Sequence, residues 1–107
     1  MIREIATLTI DPANAATFEA DVAKARPLFL AARGCHGMHL ERIIEMPGSY
    51  RLVVLWETIE AHMDDFRNAP AFQEWRALAG PWFTRPPVVV HSEKVVGCPD
   101  NRLLGSK

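Results

Sequence analysis

Residues 34–57, GCHGMHLERIIEMPGSYRLVVLWE, read as two strands joined by a tight turn. The turn is Met46-Pro47-Gly48-Ser49. Proline presets φ at its first corner, and glycine tolerates a positive φ at the second. The strand that follows, Tyr50 to Trp56, is apolar on both faces. Tyr50, Leu52, Val54 and Trp56 point one way; Val53 and Leu55 point the other, with Arg51 at the start. An antiparallel strand with one wet face alternates apolar and polar residues. This strand does not, so it needs cover on both sides. Helices of the same chain supply one cover, and in so short a chain a second copy of the protein supplies the other.

Upstream, Ile2 to Ile10 reads as a first strand, with Ala6, Leu8 and Ile10 on one face and Ile5, Thr7 and Thr9 on the other. Asp11-Pro12 starts a helix, because aspartate caps free N–H groups and proline suits the first helical position. Phe18, Val22, Ala25, Phe29 and Ala32 mark its buried stripe to about Arg33. Pro27 lies inside that pattern and is expected to kink or split the helix. Gly34 is a C-cap. Cys35 to about Ile44 forms the second strand.

Downstream, Thr58 is an N-cap for a helix that carries Ile59, Met63 and Phe66 on one face with His62 beside them. Pro70 ends this helix or starts a new one, and Phe72, Trp75 and Ala79 continue the apolar spacing. Val88 to Val96 is the last strand. The order strand, helix, strand, strand, helix, strand is the α+β, ferredoxin-like split βαβ arrangement, an antiparallel sheet with both helices on one face. The domain spans residues 1–96; residues 97–107 form a tail whose Leu103-Leu104 can pack on a partner chain. The other sheet face, apolar at β-strand positions including Val88 to Val90, implies a homodimer.

Composition narrows the function. The chain has 107 residues, 49% of them hydrophobic, and a formal net charge of −1. One domain with a real core follows. No basic stripe is present, which argues against nucleic acid. The N-terminus lacks the pattern of a signal peptide, and no apolar run approaches the roughly 20 residues that span a membrane. A cytoplasmic protein without a membrane partner is expected. Cys35 and Cys98 are too few for a disulfide scaffold and have no metal-pair spacing.

Gly34-Cys35-His36-Gly37, Trp56-Glu57-Thr58-Ile59-Glu60-Ala61-His62, Ala69-Pro70-Ala71-Phe72 and Pro87-Val88-Val89-Val90-His91 occur in that order. In these marks the chain, over roughly residues 1–96, resembles the antibiotic biosynthesis monooxygenase domains, which form dimeric α/β barrels. The GCHG start of the second strand is similar to that of bacterial quinol monooxygenases. The resemblance implies oxidation of a small aromatic quinol or phenol by molecular oxygen, with no metal, flavin or haem. It also implies a pocket between sheet and helices. Such chemistry needs an apolar pocket, a clamp for a flat ring and a proton acceptor. Two other functions stand beside it: a non-catalytic, ligand-binding or stress-related dimeric barrel, and a haem-binding or haem-degrading protein. The haem-degrading branch pairs a first-strand asparagine with a tryptophan and a histidine on the second helix. Here those places hold Ala6 or Thr7, Phe66 and Arg76, so the axial ligand is missing.

His39 and His62 are the candidates for proton handling. His36 and His39 stand three apart on a strand, face opposite ways and cannot share a metal ion; no metal site is expected. His39 shares its face with Cys35 and Gly37, whose small side chains leave room for a ligand. His62 stands one turn before Phe66, the place where the resembled family often carries its helix histidine. Trp75, Trp56, His36 and Phe66 are candidates for substrate contact, although core packing is the favoured reading for Trp56. His91 reads as structural, and Arg76 either holds an anion or is a solvated helix-face arginine. Asp64 and Asp65 diverge on a helix and form no acid pair.

Overall fold

Ile2–Thr9 (β1) runs through the middle of a four-stranded antiparallel sheet in the computed structural model, which describes residues 1–97. Ala15–Leu30 (α1) follows, then Cys35–Arg42 (β2), Ser49–Trp56 (β3), a π-helical turn at Ala61–Phe66, Pro70–Ala79 (α2) and Val88–Ser92 (β4). The sheet order is β2-β3-β1-β4, the ferredoxin-like arrangement. Cys98 and the Leu103-Leu104 pair lie outside the described residues.

Side-chain parity assigns the faces. Ala6 and Leu8 of β1 join Tyr50, Leu52, Val54 and Trp56 of β3 in one core with Phe18, Val22, Ala25 and Phe29 of α1. Aromatic rings carry much of this packing, including Phe29 with Phe66 at 4.9 Å and Phe18 with Tyr50 at 5.0 Å between centroids. On the opposite face Val53 is buried by its sheet neighbours, Ile5 and Leu55 are half-buried, and Val88 and Val90 are 61% and 53% exposed. The two-sided apolar character of β3 is therefore real.

Four local features differ from the sequence reading. α1 runs through Pro27 and ends one turn later. The proline is on the exposed side, where water can take the carbonyl its missing N–H leaves free. β4 stops at Ser92 rather than Val96. β2 carries a bulge between Cys35 and Gly37, so Cys35 pairs with Trp56 and packs on the core. One extra residue inverts the alternation, and His39 does not share a face with Cys35. Finally, the segment after the Thr58 cap is π-helical, not α-helical, and Pro70 opens a new helix. Ile59 and Met63 are exposed, while Ala61, His62 and Phe66 are buried.

The β2–β3 turn forms as its residues require. Ser49 N–H donates to the Met46 carbonyl at 2.9 Å, and Gly48 has φ +84°. A Cβ on Gly48 would also collide with the Ile10 carbonyl oxygen. Gly80, by contrast, is in the αR region with open space around it. Gly48→Ala is expected to destabilise the protein by about 2–3 kcal/mol. Gly80→Ala should leave stability within about 0.5 kcal/mol or raise it slightly. Urea unfolding of the two variants checks this.

Candidate active site

Glu4 is a charged residue at a core-facing position of β1, only 5% exposed. The sheet register sets it opposite Val54 on β3 and His91 on β4, so His91 projects to the same face. His62 of the π-helical turn, 4% exposed, covers both. The π geometry makes this possible. Arg67 N–H reaches back five residues to the His62 carbonyl at 3.1 Å, and such wide turns are frequent at functional sites. Gly34 seats the start of the turn, since a Cβ there would stand 2.8 Å from Ala61 Cβ.

The polar atoms form a chain. Trp56 Nε1–H donates to Glu4 Oε1 at 3.0 Å. His62 Nε2 stands 3.3 Å from that same oxygen. His62 Nδ1 and His91 Nε2 share a hydrogen bond of 2.8 Å. The His62 ring lies on the Trp56 indole, 5.4 Å between centroids and 15° from parallel. Burial pushes the Glu4 carboxyl above its usual range, against the hydrogen bond from Trp56 and the charge of Arg67. Burial, then the neighbouring His91 and Arg67, push His62 down from 6.5 to about 4. At neutral pH His62 is uncharged. With Glu4 ionised, its oxygen favours the His62 proton on Nε2, an assignment that leaves Nδ1 to accept from His91.

This chain borders a cavity of about 260 Å³ between the sheet and α2. Glu4, Ala6, Leu8 and Leu52 form its floor, His62, Arg67, Phe72, Trp75 and Arg76 one wall, and Phe83, Pro86, Pro87 and Val89 the other. The volume falls just below the roughly 300–1,000 Å³ of most ligand pockets. A second depression, about 370 Å³, lies between α1 and β2. It is more open, and its polar groups satisfy one another: Glu19 accepts from Tyr50 at 2.6 Å and from Arg42 at 2.7 Å. Tyr50 and Arg42 together hold the Glu19 carboxyl below its usual range. The smaller cavity is the better site, because its buried acid and histidine face open volume.

The chain belongs to the antibiotic biosynthesis monooxygenase family. The family's sequence profile matches residues 1–78. A Bordetella bronchiseptica structure described as a candidate antibiotic biosynthesis monooxygenase is 56% identical with a TM-score of 0.86, covering 89% of this chain and 97% of that one. The uncharacterized protein YczJ of Bacillus subtilis is 35% identical over 95 residues, covering 89% of this chain and all of YczJ. SnoaB, a cofactor-independent oxygenase from Streptomyces nogalater, shares the fold at 18% identity and a TM-score of 0.75, over 92% of this chain and 96% of SnoaB.

Of the residues singled out from the sequence, the monooxygenase fold brings His62 and Trp75 to the cavity. Trp56 sits behind it, fully buried, bonded to Glu4 and stacked on His62. Phe66 is core, packed on Phe29, Trp56 and Phe72. His36 and His39 are elsewhere: His36 pairs with Glu57 at 2.9 Å, and His39, with a 58% exposed side chain, pairs with Glu41 at 3.0 Å. His39 borders the open depression instead. Sequence reasoning passed over Glu4, although it shares the parity of Ala6, Leu8 and Ile10. It also read His91 as structural. Among the described residues, no group of three or more His, Cys, Asp or Glu side chains is arranged to hold a metal ion. No helix of the described residues is long and apolar enough to cross a membrane.

The depressed His62 pKa has a consequence for stability. The unfolded chain takes a proton at His62 near pH 6.5, whereas the folded chain resists until about pH 4. Protonation in that window therefore favours unfolding, and stability falls as pH drops through it. Glu4, with its raised pKa, works the other way: acidification through its own window adds stability. Between pH 7 and pH 5 the wild type is expected to lose about 1–2 kcal/mol more than His62→Gln, read from urea unfolding at each pH.

Proposed function

We propose that this chain is a cofactor-independent monooxygenase that oxidises a small aromatic quinol or phenol with molecular oxygen, working as a cytoplasmic homodimer. One observation carries the reading: a buried carboxylate and a neutral histidine line a small cavity that also holds the rings of Phe72, Trp75 and Phe83. The family membership and the fold shared with a cofactor-independent oxygenase agree with it.

The chemistry follows from the groups present. A phenol gives an electron to oxygen most readily once deprotonated. Glu4 Oε1 is engaged by Trp56 and His62, and no described hydrogen bond engages Oε2. Oε2 is the base in this proposal, made more basic by burial. The proton stays on Glu4 until the reduced oxygen takes it up, because His62 Nε2 already carries a proton beside Oε1 and His91 donates to His62 Nδ1. The phenolate gives up electrons to oxygen. A phenol that loses two hydrogens and gains one oxygen becomes a quinone, and the second oxygen atom leaves as water. A hydroquinone that loses two hydrogens becomes a quinone, and the oxygen leaves as hydrogen peroxide. Trp75 and Phe72 pack the ring, while Trp56 acts through Glu4 and Phe66 supports from the core. No part is proposed for His36 or His39. Ile5, Leu55, Val88 and Val90 on the outer sheet face are the proposed dimer contact.

Oxygen uptake with a panel of phenols and hydroquinones tests the reading. Uptake above autoxidation is expected with at least one compound, lowered about 100-fold or more by Glu4→Gln. Binding that stabilises the protein without any uptake would instead make it a non-catalytic ligand carrier. Sedimentation should give a particle of twice 12.0 kDa.

A further inference from the structure

Two arginines stand at the same cavity; the charge of Arg67 reaches Glu4 from a distance, and neither arginine is clamped by a carboxylate. Arg67 follows the π-helical turn and Arg76 lies on α2, and both line the cavity with Phe72 between them in sequence. Their guanidinium carbons are 5.6 Å and 5.9 Å from the centroid of the Phe72 ring. Neither makes an ion pair within 4.0 Å among the described residues. Among the described residues the Arg67 guanidinium has only the Met63 sulfur, at 3.7 Å, as a hydrogen-bond acceptor. The whole chain is slightly acidic, so this concentration of positive charge is local. The one carboxylate on the cavity wall, Glu4, already accepts from Trp56 and sits beside His62.

From this we infer that the cavity selects an aromatic ligand bearing an anionic substituent, a carboxylate in the simplest case, held by Arg67 and Arg76 while the ring lies against Phe72 and Trp75. The inference deepens the proposed function, on which it rests for the aromatic, hydroxylated character of the ligand. Guanidinium is suited to the task. It is always charged, is weakly hydrated, stacks on aromatic faces and meets a carboxylate with paired hydrogen bonds. Held within 6 Å of the centre of a ring that lines the cavity, two such groups can turn their donors to an anion. The ligand's anion also offsets the repulsion between the two cations. The ring hydroxyl is then free to meet Glu4. Arg67 and Arg76 act as specificity-determining residues; neither receives the proton.

Hydroquinone and 2,5-dihydroxybenzoate differ by the ring carboxylate alone, and calorimetric titration under anaerobic conditions compares them without turnover. The carboxylate is expected to bind about tenfold more tightly at low salt. Raising the ionic strength should shrink that preference, and R67Q/R76Q should abolish it. Equal affinities in the wild type, no binding of 2,5-dihydroxybenzoate at millimolar concentration, or a preference unchanged in R67Q/R76Q would overturn the inference. Oxygen uptake, read separately, keeps the two proposals apart. An arginine-dependent carboxylate preference without uptake sinks the oxygenase and leaves the subsite. Uptake with no carboxylate preference does the reverse.

Discussion

Glu4 is a carboxylate on the dry side of the sheet, and the site exists because that group must be given partners. An ionised carboxylate buried without hydrogen bonds is strongly destabilising. Here the Trp56 indole donates to it, His62 stands beside the same oxygen, and Arg67 adds positive charge. These contacts come from three parts of the chain: the second residue pair of β1, the end of β3 and the turn before α2. The acid thereby ties the sheet to the helical layer at the place where the cavity opens.

The backbone around that acid is shaped to deliver His62. An α-helical turn hydrogen-bonds four residues back; this one reaches five, from Arg67 to His62. Gly34, at φ +81°, lets the end of the α1 connection approach Ala61, and its carbonyl accepts from Glu57 N–H at 2.8 Å. The turn is thus held at its beginning by a glycine and at its end by Pro70, which opens α2. Between them His62 is stacked on Trp56 and linked to His91. A ring fixed by stacking on one face and by polar contacts at both nitrogens has little freedom, which suits a group that must present one nitrogen to a carboxylate.

The parts of this fold legible in the sequence are those with a local cause. Proline and glycine at Met46–Ser49 dictate the turn, and the unbroken apolar run from Leu52 to Trp56 dictates a strand covered on both faces. The parts that were not legible depend on distant contacts. The bulge at Cys35 leaves no periodic mark, yet it turns Cys35 to the core and leaves His39 at the surface. The π turn uses residues an α-helix would also accept, and its five-residue hydrogen bond from Arg67 to His62 leaves no mark in the sequence. Pro27 looked like a break but falls where water can replace the lost bond. Glu4 was visible, as an acid with the parity of three core residues. His91 was not: its role appears only once the β1–β4 register sets it opposite Glu4.

The family supplies the scaffold, and this chain's own polar residues give the cavity its character. A neutral imidazole that donates to an acid of raised pKa, and accepts from a half-buried second imidazole, holds that acid in place without adding a charge beside it. Nitrogen-15 chemical shifts of the histidine rings at pH 7 test that arrangement most directly. The account predicts His62 as the neutral tautomer with its proton on Nε2, in contact with Glu4. An imidazolium at His62, or a proton on Nδ1 instead, would contradict it.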